Sequence, residues 1–434
     1  MAKAAPHSVS ASARKFLHQG IRKLFASAPR PLRFAVYRSF VDCDAAPDAR
    51  LVLKIAETRE ELEACFGLLH DAYVNAGFMQ ADPSGMRVTL YHALPTTTTL
   101  CAKIDGQVVG TISLIRESVF GFPLQAIFDL NKVREVGGNI AEVSALAVHP
   151  DFRKTGGAIL FPLMKFMFTY CATYFDTRHI VIAVNPNRIE MYESLLFFQR
   201  LRATPVDSYD FANGAPAVGA SLDLHAAPEM FKQVYGPKRQ RKNLHNYFME
   251  LELPNIRLPR RRYFTTNDPV MTPALLDYFF NQKTQGFALL DPRKKALLHT
   301  IYNLPEYQSV LPGTPAASTT AHPLRAHPRY SLKCPAELRL ERADGTEIHT
   351  LDVIEISNGG FQAHCASVLP AQLWGTASVH LGQGEKSTVR AMVVRAKDGF
   401  YGFKLDAPDA AWLRCVLALE SGTTHAHVAM PAAG

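Results

Sequence analysis

The sequence predicts an α+β protein of two folded units, a mixed sheet flanked by helices followed by a small six-stranded antiparallel β-barrel. Three observations predict this. Between residues 51 and 224, apolar runs of strand length alternate with runs of helical length, as in βαβ construction. From about residue 332 the pattern changes to six short strands separated by turn signals. Between these regions, Leu311–Pro323 is rich in Pro, Ala, Ser and Thr and reads as a connection. The chain therefore divides into a basic tail (1–50), a first domain (51–255), a basic and helical extension (256–310), a linker (311–321), the barrel (322–420) and a second tail (421–434).

Of the 434 residues, 47% are hydrophobic and 20% charged, a composition that folds and buries cores. Lys and Arg number 47 against 39 Asp and Glu, a formal charge of +8. Residues 1–41 contain eight basic residues (Lys3, Arg14, Lys15, Arg22, Lys23, Arg30, Arg33 and Arg38) and no acidic one, so residues 42–434 balance. A DNA- or RNA-binding role loses its main support, because the basic footprint it needs is concentrated in the tail. Within residues 9–27, Phe16, Leu17, Ile21, Leu24 and Phe25 fall on one side of a helix and Lys15, Arg22 and Lys23 on the other. This suits a helix lying on an anionic membrane; a free tail and a helix docked on the protein are the other readings, and Gly20 weakens any helix. Seven cysteines, none in a C-x-x-C pair, point to reduced thiols in a cytosolic protein. No apolar run of signal-peptide type follows the basic start. The stretch 157–175 carries Lys165 and reads as a buried helix rather than a membrane span. The expected location is the cytoplasm, at most peripheral at the inner face of the membrane.

Taken in order, Thr58 with Glu60, Glu61 and Glu63 opens a helix through Tyr73, its acids at the positive end of the dipole. Thr98–Ile104 and Gln107–Ile115 flank Asp105-Gly106, a strong hairpin signal. Ala141–Val148 and His179–Val184 read as strands around the 157–175 helix, a βαβ unit, and Ala217–Leu224 as a late strand. Residues 229–262 are basic and broken by prolines, with clusters at 238–242 and 257–262, and 272–303 reads as helical. In the barrel the strands are 332–341, 347–356, 360–365, 376–381, 388–395 and 401–405, closed by a helix at 410–419.

The segment from Val148 to Ala158 follows a strand and opens a helix. Gly156 and Gly157 let the backbone approach a ligand closely, and helix-start N–H groups with Arg153 can receive an anion. Arg153, Gly156 and Ala158 make an R-x-x-G-x-A pattern, with Thr155 inside it. This resembles the acyl-CoA loop of the GNAT acyltransferase superfamily. Asn185–Phe197 resembles the superfamily's next strand end, loop and helix, where a tyrosine protonates the departing thiolate; Tyr192 takes that place. By itself Tyr192 also reads as a core tyrosine of an amphipathic helix. Glu142 begins the strand before the loop, where a carboxylate near a thioester can accept a proton from an amine; a surface carboxylate at a strand end is the other reading. Alternation puts Glu142 and Ser144 on one face.

Ala141-Glu142-Val143-Ser144, Gly121-Phe122-Pro123-Leu124 and the Asn185-Pro186 to Tyr192-Glu193 stretch together resemble the FeeM-type long-chain N-acyl amino acid synthases, relatives of the acyl-homoserine lactone synthases, over about residues 51–250. The lactone enzymes carry Glu-x-Ser-Arg here; Ala145 replaces that Arg, which counts against lactone chemistry. The resemblance implies a fatty acyl thioester on acyl carrier protein as donor and an amino acid amine as acceptor. It further implies N–H groups near Val148 polarising the thioester carbonyl. The basic clusters would dock the acidic carrier, or face solvent or a membrane. A well-kept pyrophosphate loop suits acyl-CoA, which stands as the alternative donor.

The barrel opens with Arg325-Ala326-His327-Pro328-Arg329, and Glu355-Ile356-Ser357-Asn358-Gly359-Gly360 follows. Two arginines four apart can grip phosphates and stack on purines. With the six strands, these strings resemble the PilZ domain, the bacterial cyclic-di-GMP receptor, with motifs R-x-x-x-R and [DN]-x-S-x-x-G. The resemblance makes Arg325, Arg329, Glu355, Ser357 and Gly360 the ligand residues. Glu355 departs from the family's Asp or Asn, and its extra methylene would disturb a base-edge hydrogen bond. A barrel that binds nothing and serves as a protein contact is the other reading.

The combined expectation is an N-acyltransferase with Glu142 as base and Tyr192 as acid, regulated by cyclic-di-GMP. Its rival is a non-catalytic effector that keeps the fold as a scaffold. The two are separated by whether Glu142 and Tyr192 share a cleft with the 153–158 loop. Acetyl transfer would instead show a short closed pocket. No metal is expected: only His425 and His427 are close-spaced among sixteen histidines, and no H-E-x-x-H pattern occurs. No cofactor is expected to be held permanently.

Overall fold

The computed structural model describes residues 27–153, 155–266, 271–302, 305–313, 327, 329–342 and 345–421. Most of the 9–27 helix, Arg325 and most of the linker lie outside the described residues, so those expectations are not addressed by the fold.

The first domain is an eight-stranded sheet between two helical layers. In chain order its elements are α1 (Arg30–Ser39), β1 (Val52–Ile55), α2 (Arg59–Asn75), β2 (Thr97–Ile104), β3 (Gln107–Arg116), α3 (Asn131–Glu135), β4 (Asn139–Val148), α4 (Leu160–Tyr174), β5 (Thr177–Val184), α5 (Ile189–Leu196), β6 (Gln199–Arg200), β7 (Val206–Tyr209), β8 (Ala215–Asp223) and α6 (Ala227–Tyr235). The strands run β1-β2-β3-β4-β5-β8-β6, with β7 on β8. β4 and β5 are parallel, joined by α4, and their neighbours are antiparallel.

Local chemistry accounts for several boundaries. Thr58 caps α2, accepting from the Glu61 N–H at 3.2 Å, while the Glu61 carboxylate takes the Thr58 N–H in a capping box. Lys54 and Lys103 contact the same carboxylate at 2.7 and 2.6 Å and hold it well below the usual range, at about 2, against the cost of its burial. The β2–β3 turn places Asp105 and Gly106 at φ 49° and 82°, the left-handed pair that matches strand twist. α4 packs on one face with α6, burying Leu163, Phe166, Tyr170 and Phe231. Lys165 is buried there too, its Nζ donating to the Phe248 carbonyl (2.6 Å), and burial pulls its ammonium down to about 8. Among the described residues no helix is long and apolar enough to cross a membrane.

On the opposite face α2 is covered by α7 (Pro273–Asp277), α8 (Pro292–Ile301) and α9 (Pro305–Gln308). Phe279, Phe280, Phe287, Leu298 and Tyr302 share one core with Leu62, Phe66 and Leu69. From Met271 onward, the stretch expected as an extension (256–310) thus packs on the first domain. The stretch expected as a basic tail likewise contains a helix, α1, bound to α5: Arg30 and Arg33 pair with Glu193 and Glu190, both at 2.6 Å, and Arg38 Nε donates to the Ser194 carbonyl at 2.9 Å.

The second domain is a closed barrel of β9 (Tyr330–Arg342), β10 (Gly345–Ser357), β11 (Gly360–His364), β12 (Trp374–Gly382), β13 (Glu385–Lys397) and β14 (Phe400–Leu405), ordered β10-β11-β14-β13-β12-β9. Alternation along each strand fills its interior, and α10 (Ala410–Ser421) adds the buried Trp412, whose Nε1 donates to the Ser357 carbonyl at 2.9 Å.

An extended strap joins the domains. Ile256 bridges to Leu53 of β1, while Tyr263 and Thr265 bridge to Gly382 and Leu332 of the barrel. Arg261, Tyr263 and Thr265 are buried and Arg262 and Phe264 exposed, the alternation of a strand. Arg261 lies over the Tyr174 ring (4.3 Å) and donates to Tyr170 Oη (2.6 Å), whereas Tyr263 enters the barrel core. A Cβ on Gly382 would stand 1.8 Å from the Arg262 carbonyl. Gly382→Ala should therefore push the strap from the barrel edge and destabilise the protein by about 2 kcal/mol, read as a lower urea midpoint with faster proteolysis between residues 256 and 266. An unchanged midpoint would show that the strap does not hold the barrel.

Candidate active site

The site grows from a fault in β4. Pairing with β3 steps from Ser113↔Ser144 to Thr111↔Ala147, so two residues of β4 oppose one of β3. Ala145 sits at φ 56°, where side chains other than glycine are uncommon. This is a β-bulge, and a bulge bends its strand. β4 and β5 accordingly pair from Asn139↔Thr177 to Glu142↔Val181 and no further, while β5 continues along β8 to Val184. The bulge also shifts the side-chain phase, so that Val143, Leu146 and Val148 face α4 while Ala145 and Ala147 face α2.

The splayed strands enclose a cavity of about 240 Å³, walled by Val143–Leu146 of β4 and Ile182–Val184 with Asn185 beyond β5. On the α4 side it runs among Met164, Met167, Phe168, Phe231, Phe248 and Met249; on the α2 side it is bounded by Tyr73. A largely apolar cavity between two strand edges suits an acyl chain whose carbonyl stops at the splay.

Glu142 is the last residue of β4 paired with β5. It is 1% exposed and accepts the Leu124 N–H at 3.0 Å. It is thus no surface carboxylate; burial pushes its carboxyl up to about 8, against the pull of the Leu124 N–H. It stands at the apex of the cleft without forming its wall. Tyr192 does line the cavity, on α5, edge-on to Phe198 at 5.8 Å. Burial raises its phenol, against the pull of Arg188, so it carries its proton at neutral pH. Asn185 also lines the cavity, its Oδ1 accepting the Asn187 N–H at 3.0 Å.

None of the described residues of the 153–158 loop walls this cavity. It leaves the far end of β4, where Arg153 Nε donates to the Val148 carbonyl (2.8 Å) and Thr155 Oγ1 to the Phe152 carbonyl (2.7 Å). Gly156 and Gly157 take φ 68° and 93°, and a Cβ on Gly157 would meet the Phe161 ring at 2.6 Å. The structure thus groups Tyr192 and Asn185 around the cavity and Glu142 at its apex. Arg153, Thr155, Gly156, Gly157 and Ala158 lie beyond Val148.

Part of the basic clusters is committed internally. Arg241 pairs with Asp42 (2.6 Å), Lys242 Nζ donates to the Ser39 carbonyl, Arg261 is buried and Arg262 pairs with Glu385 (2.6 Å). Lys238, Arg239, Arg257 and Arg260 remain exposed.

In the barrel, Arg329, Glu355, Ser357 and Gly360 line one open pocket of about 590 Å³ with His327, Arg395, Lys397 and Lys404. Arg329 Nη1 pairs with Glu355 at 3.0 Å. Ser357 Oγ donates to the Gly360 carbonyl at 3.1 Å, and a Cβ on Gly360 would stand 2.2 Å from the Phe403 carbonyl. These two residues therefore also have a folding role, closing the β10–β11 turn and letting β11 approach β14.

Residues 64–223 match the family described as the N-acyl amino acid synthase FeeM. They carry an N-acyltransferase domain. Among solved structures the chain is similar to FeeM, an N-acyl amino acid synthase from uncultured soil microbes, at 23% identity over 42% of this chain and 94% of that one, with a TM-score of 0.36. It is similar to BjaI, a CoA-dependent acyl-homoserine lactone synthase with SAM and isopentyl-CoA, at 19% identity over 48% and 92%, TM-score 0.34. It is also similar to Escherichia coli ElaA, at 12% identity over 40% and 99%, TM-score 0.27. No curated protein matches the chain.

Sequence reasoning passed over a group adjoining the cleft through Tyr73, where Tyr73, Arg87, Tyr91, Tyr209 and Phe211 come together. They come from four separate stretches, and no spacing between them could signal the group.

The carboxyl of Glu142 titrates at about 8 in the fold against 4.5 ordinarily. The folded state thus holds the extra proton between these values, and stability falls as pH rises from about 4.5 to about 8, then levels. Glu142→Gln keeps an acceptor for the Leu124 N–H without that titration. Its stability relative to wild type should rise between pH 5 and pH 8 in urea melts; a constant difference would show that Glu142 is ionised throughout.

Proposed function

We propose that the first domain transfers a long-chain fatty acyl group from a thioester to the amine of an amino acid. The observation that carries this reading is the apolar cavity between the splayed strands, with a carboxyl of raised pKa at its apex and a protonated tyrosine on its wall. The acyl chain lies among Met164, Met167 and Phe248, with the thioester carbonyl at the edge of β4 freed beyond Glu142, where backbone N–H groups toward Val148 can stabilise the oxyanion. The amine nitrogen attacks the carbonyl carbon; the C–N bond forms and the C–S bond breaks. Glu142, once deprotonated, takes the amine proton through water, and Tyr192 gives its proton to the departing thiolate. Arg153 and the 155–158 backbone would hold the donor's phosphate at the far end of β4. Acyl carrier protein is the proposed donor, met by Lys238, Arg239, Arg257 and Arg260, with acyl-CoA as the alternative.

The test is mass spectrometry of lipid extracts from bacteria expressing wild type or the Glu142→Gln/Tyr192→Phe variant. N-acyl amino acids should accumulate with wild type and fall by roughly 100-fold in the variant, the range of positioned acid–base catalysis. Equal, absent products from two folded proteins, at both basal and raised cyclic-di-GMP, would favour the scaffold reading. That reading has one observation behind it: the described residues of the 153–158 loop are not part of the cavity wall.

We further propose that the barrel binds cyclic-di-GMP and thereby regulates the transferase. The support is the pocket that gathers Arg329, Arg395, Lys397 and Lys404 around the Ser357–Gly360 turn. Phosphate would draw Arg329 from Glu355, and Glu355 also lines the cleft between the domains with Asn139 and Asp176. Arg325→Ala and Arg329→Ala should each weaken cyclic-di-GMP binding at least about 10-fold in calorimetry, as loss of a charge-assisted contact does. Unchanged affinity in both would remove the assignment.

A further inference from the structure

The group adjoining the cleft through Tyr73 has no part in the chemistry above. Arg87 is 7% exposed. Its guanidinium lies 4.0 Å from the Tyr73 ring centroid and 5.1 Å from that of Phe211. Nη2 donates to the Phe211 carbonyl at 2.5 Å, the one hydrogen bond Arg87 makes among the described residues, and no carboxylate there pairs with it. Ring faces attract a cation but supply no counter-charge, and a buried cation without one is costly. Tyr209, 3% exposed, has a hydroxyl with no hydrogen-bond partner among the described residues. Tyr91 and Tyr209 both pack on Phe211, at 5.8 Å.

This group reaches the reaction centre from two directions. Tyr73, against which Arg87 stacks, is a wall of the cavity beside Ser144 and Ala145. Burial raises the phenols of Tyr91 and Tyr209, and Glu142 adds to this when it is ionised. With the acyl chain proposed among Met164, Met167 and Phe248 on the α4 side, the amine would approach from the Tyr73 side of the same cavity. There the fold provides a cation short of an anion, a hydroxyl short of a partner and aromatic faces.

We infer that Arg87 is the carboxylate-binding residue of the acceptor site, so that the acceptor is an α-amino carboxylate with its amine at the splay and its carboxylate directed past Tyr73 toward the guanidinium that Tyr73 and Phe211 flank. The inference rests on the acyltransferase reading and deepens it. Amine and carboxylate sit on one carbon, so an amine held at the thioester carries its carboxylate toward the Tyr73 side. A guanidinium matches a carboxylate with two parallel hydrogen bonds. An amine without a carboxylate leaves the buried charge unanswered and is rejected.

The experiment compares the common L-amino acids with their α-amides as acceptors, by thiol release from acyl carrier protein or acyl-CoA and by thermal shift without donor. The full chain is used as wild type, Arg87→Gln, Arg87→Lys and Tyr209→Phe. Wild type should turn over at least one amino acid with a kcat/KM about 100-fold above its amide. Arg87→Gln should raise KM for that amino acid at least 10-fold while leaving its amide unchanged. Arg87→Lys, which keeps the buried charge, should show a smaller rise, and Tyr209→Phe should keep the preference for the acid. Equal use of acid and amide by wild type would overturn the inference while upholding the acyltransferase. Should no amine be acylated, the acyltransferase reading fails; amino acids that still stabilise wild type but not a folded Arg87→Lys or Arg87→Gln protein would uphold the carboxylate site, and their absence would remove it.

Discussion

The left-handed backbone of Ala145 is the constraint on which the rest of the first domain depends. One residue too many on β4 ends its pairing with β5 at Glu142 and turns a continuous sheet into a forked one. The fork makes room for a ligand in what would otherwise be the most tightly bonded part of the fold. It also marks a change in surroundings: below it Glu142 is buried against the Leu124 N–H and burial raises its carboxyl, while above it the strand edges face the cavity. Because the bulge changes the phase of β4, the two sides of the fork differ in character, one apolar and formed by helix packing, the other polar and aromatic.

The acid at the fork is held from outside. Tyr192 rides on α5, which arginines of α1 also hold, and the Arg30–Glu193 pair is completed by Arg200, which contacts Glu193 at 2.9 Å. Glu193 is almost fully buried, so removing one partner leaves a carboxylate in poor surroundings. A helix of eight residues is too short to persist through its own backbone bonds. Its orientation over the cavity is set by these pairs and by Phe198, which follows it.

Much of this was legible in the sequence, and the misses have physical causes. The Asp105-Gly106 turn, the Thr58 cap and the six barrel strands rest on local chemistry, and local chemistry is written in adjacent residues. Motif spacing singled out Glu142, Tyr192, Arg329, Glu355, Ser357 and Gly360, because spacing travels with the elements that carry it; Tyr192 and the last four line cavities of the fold. α1 was not found, since its arginines gain their partners from residues some 160 positions away and nothing near them marks a helix. The bulge escaped for the opposite reason: Ala145 is an ordinary strand residue in a regular apolar alternation, and only pairing with β3 reveals the shift. Arg87 was invisible because its meaning is a missing partner, which a sequence does not record. The basic clusters misled in part, as Arg241, Arg261 and Arg262 serve the fold.

The fork has one more consequence. A strand edge with open N–H and C=O groups on the outside of a sheet is a template on which another chain can add, and proteins blunt such edges to remain soluble. Here the freed edge of β4 lies inside an eight-stranded sheet, with β5 and β8 standing across from it. A slender ligand can slide between the strands and bond to it; a second polypeptide, with side chains on both faces, cannot. The protein can thus keep an unsatisfied strand edge for chemistry without making that edge a seed for aggregation.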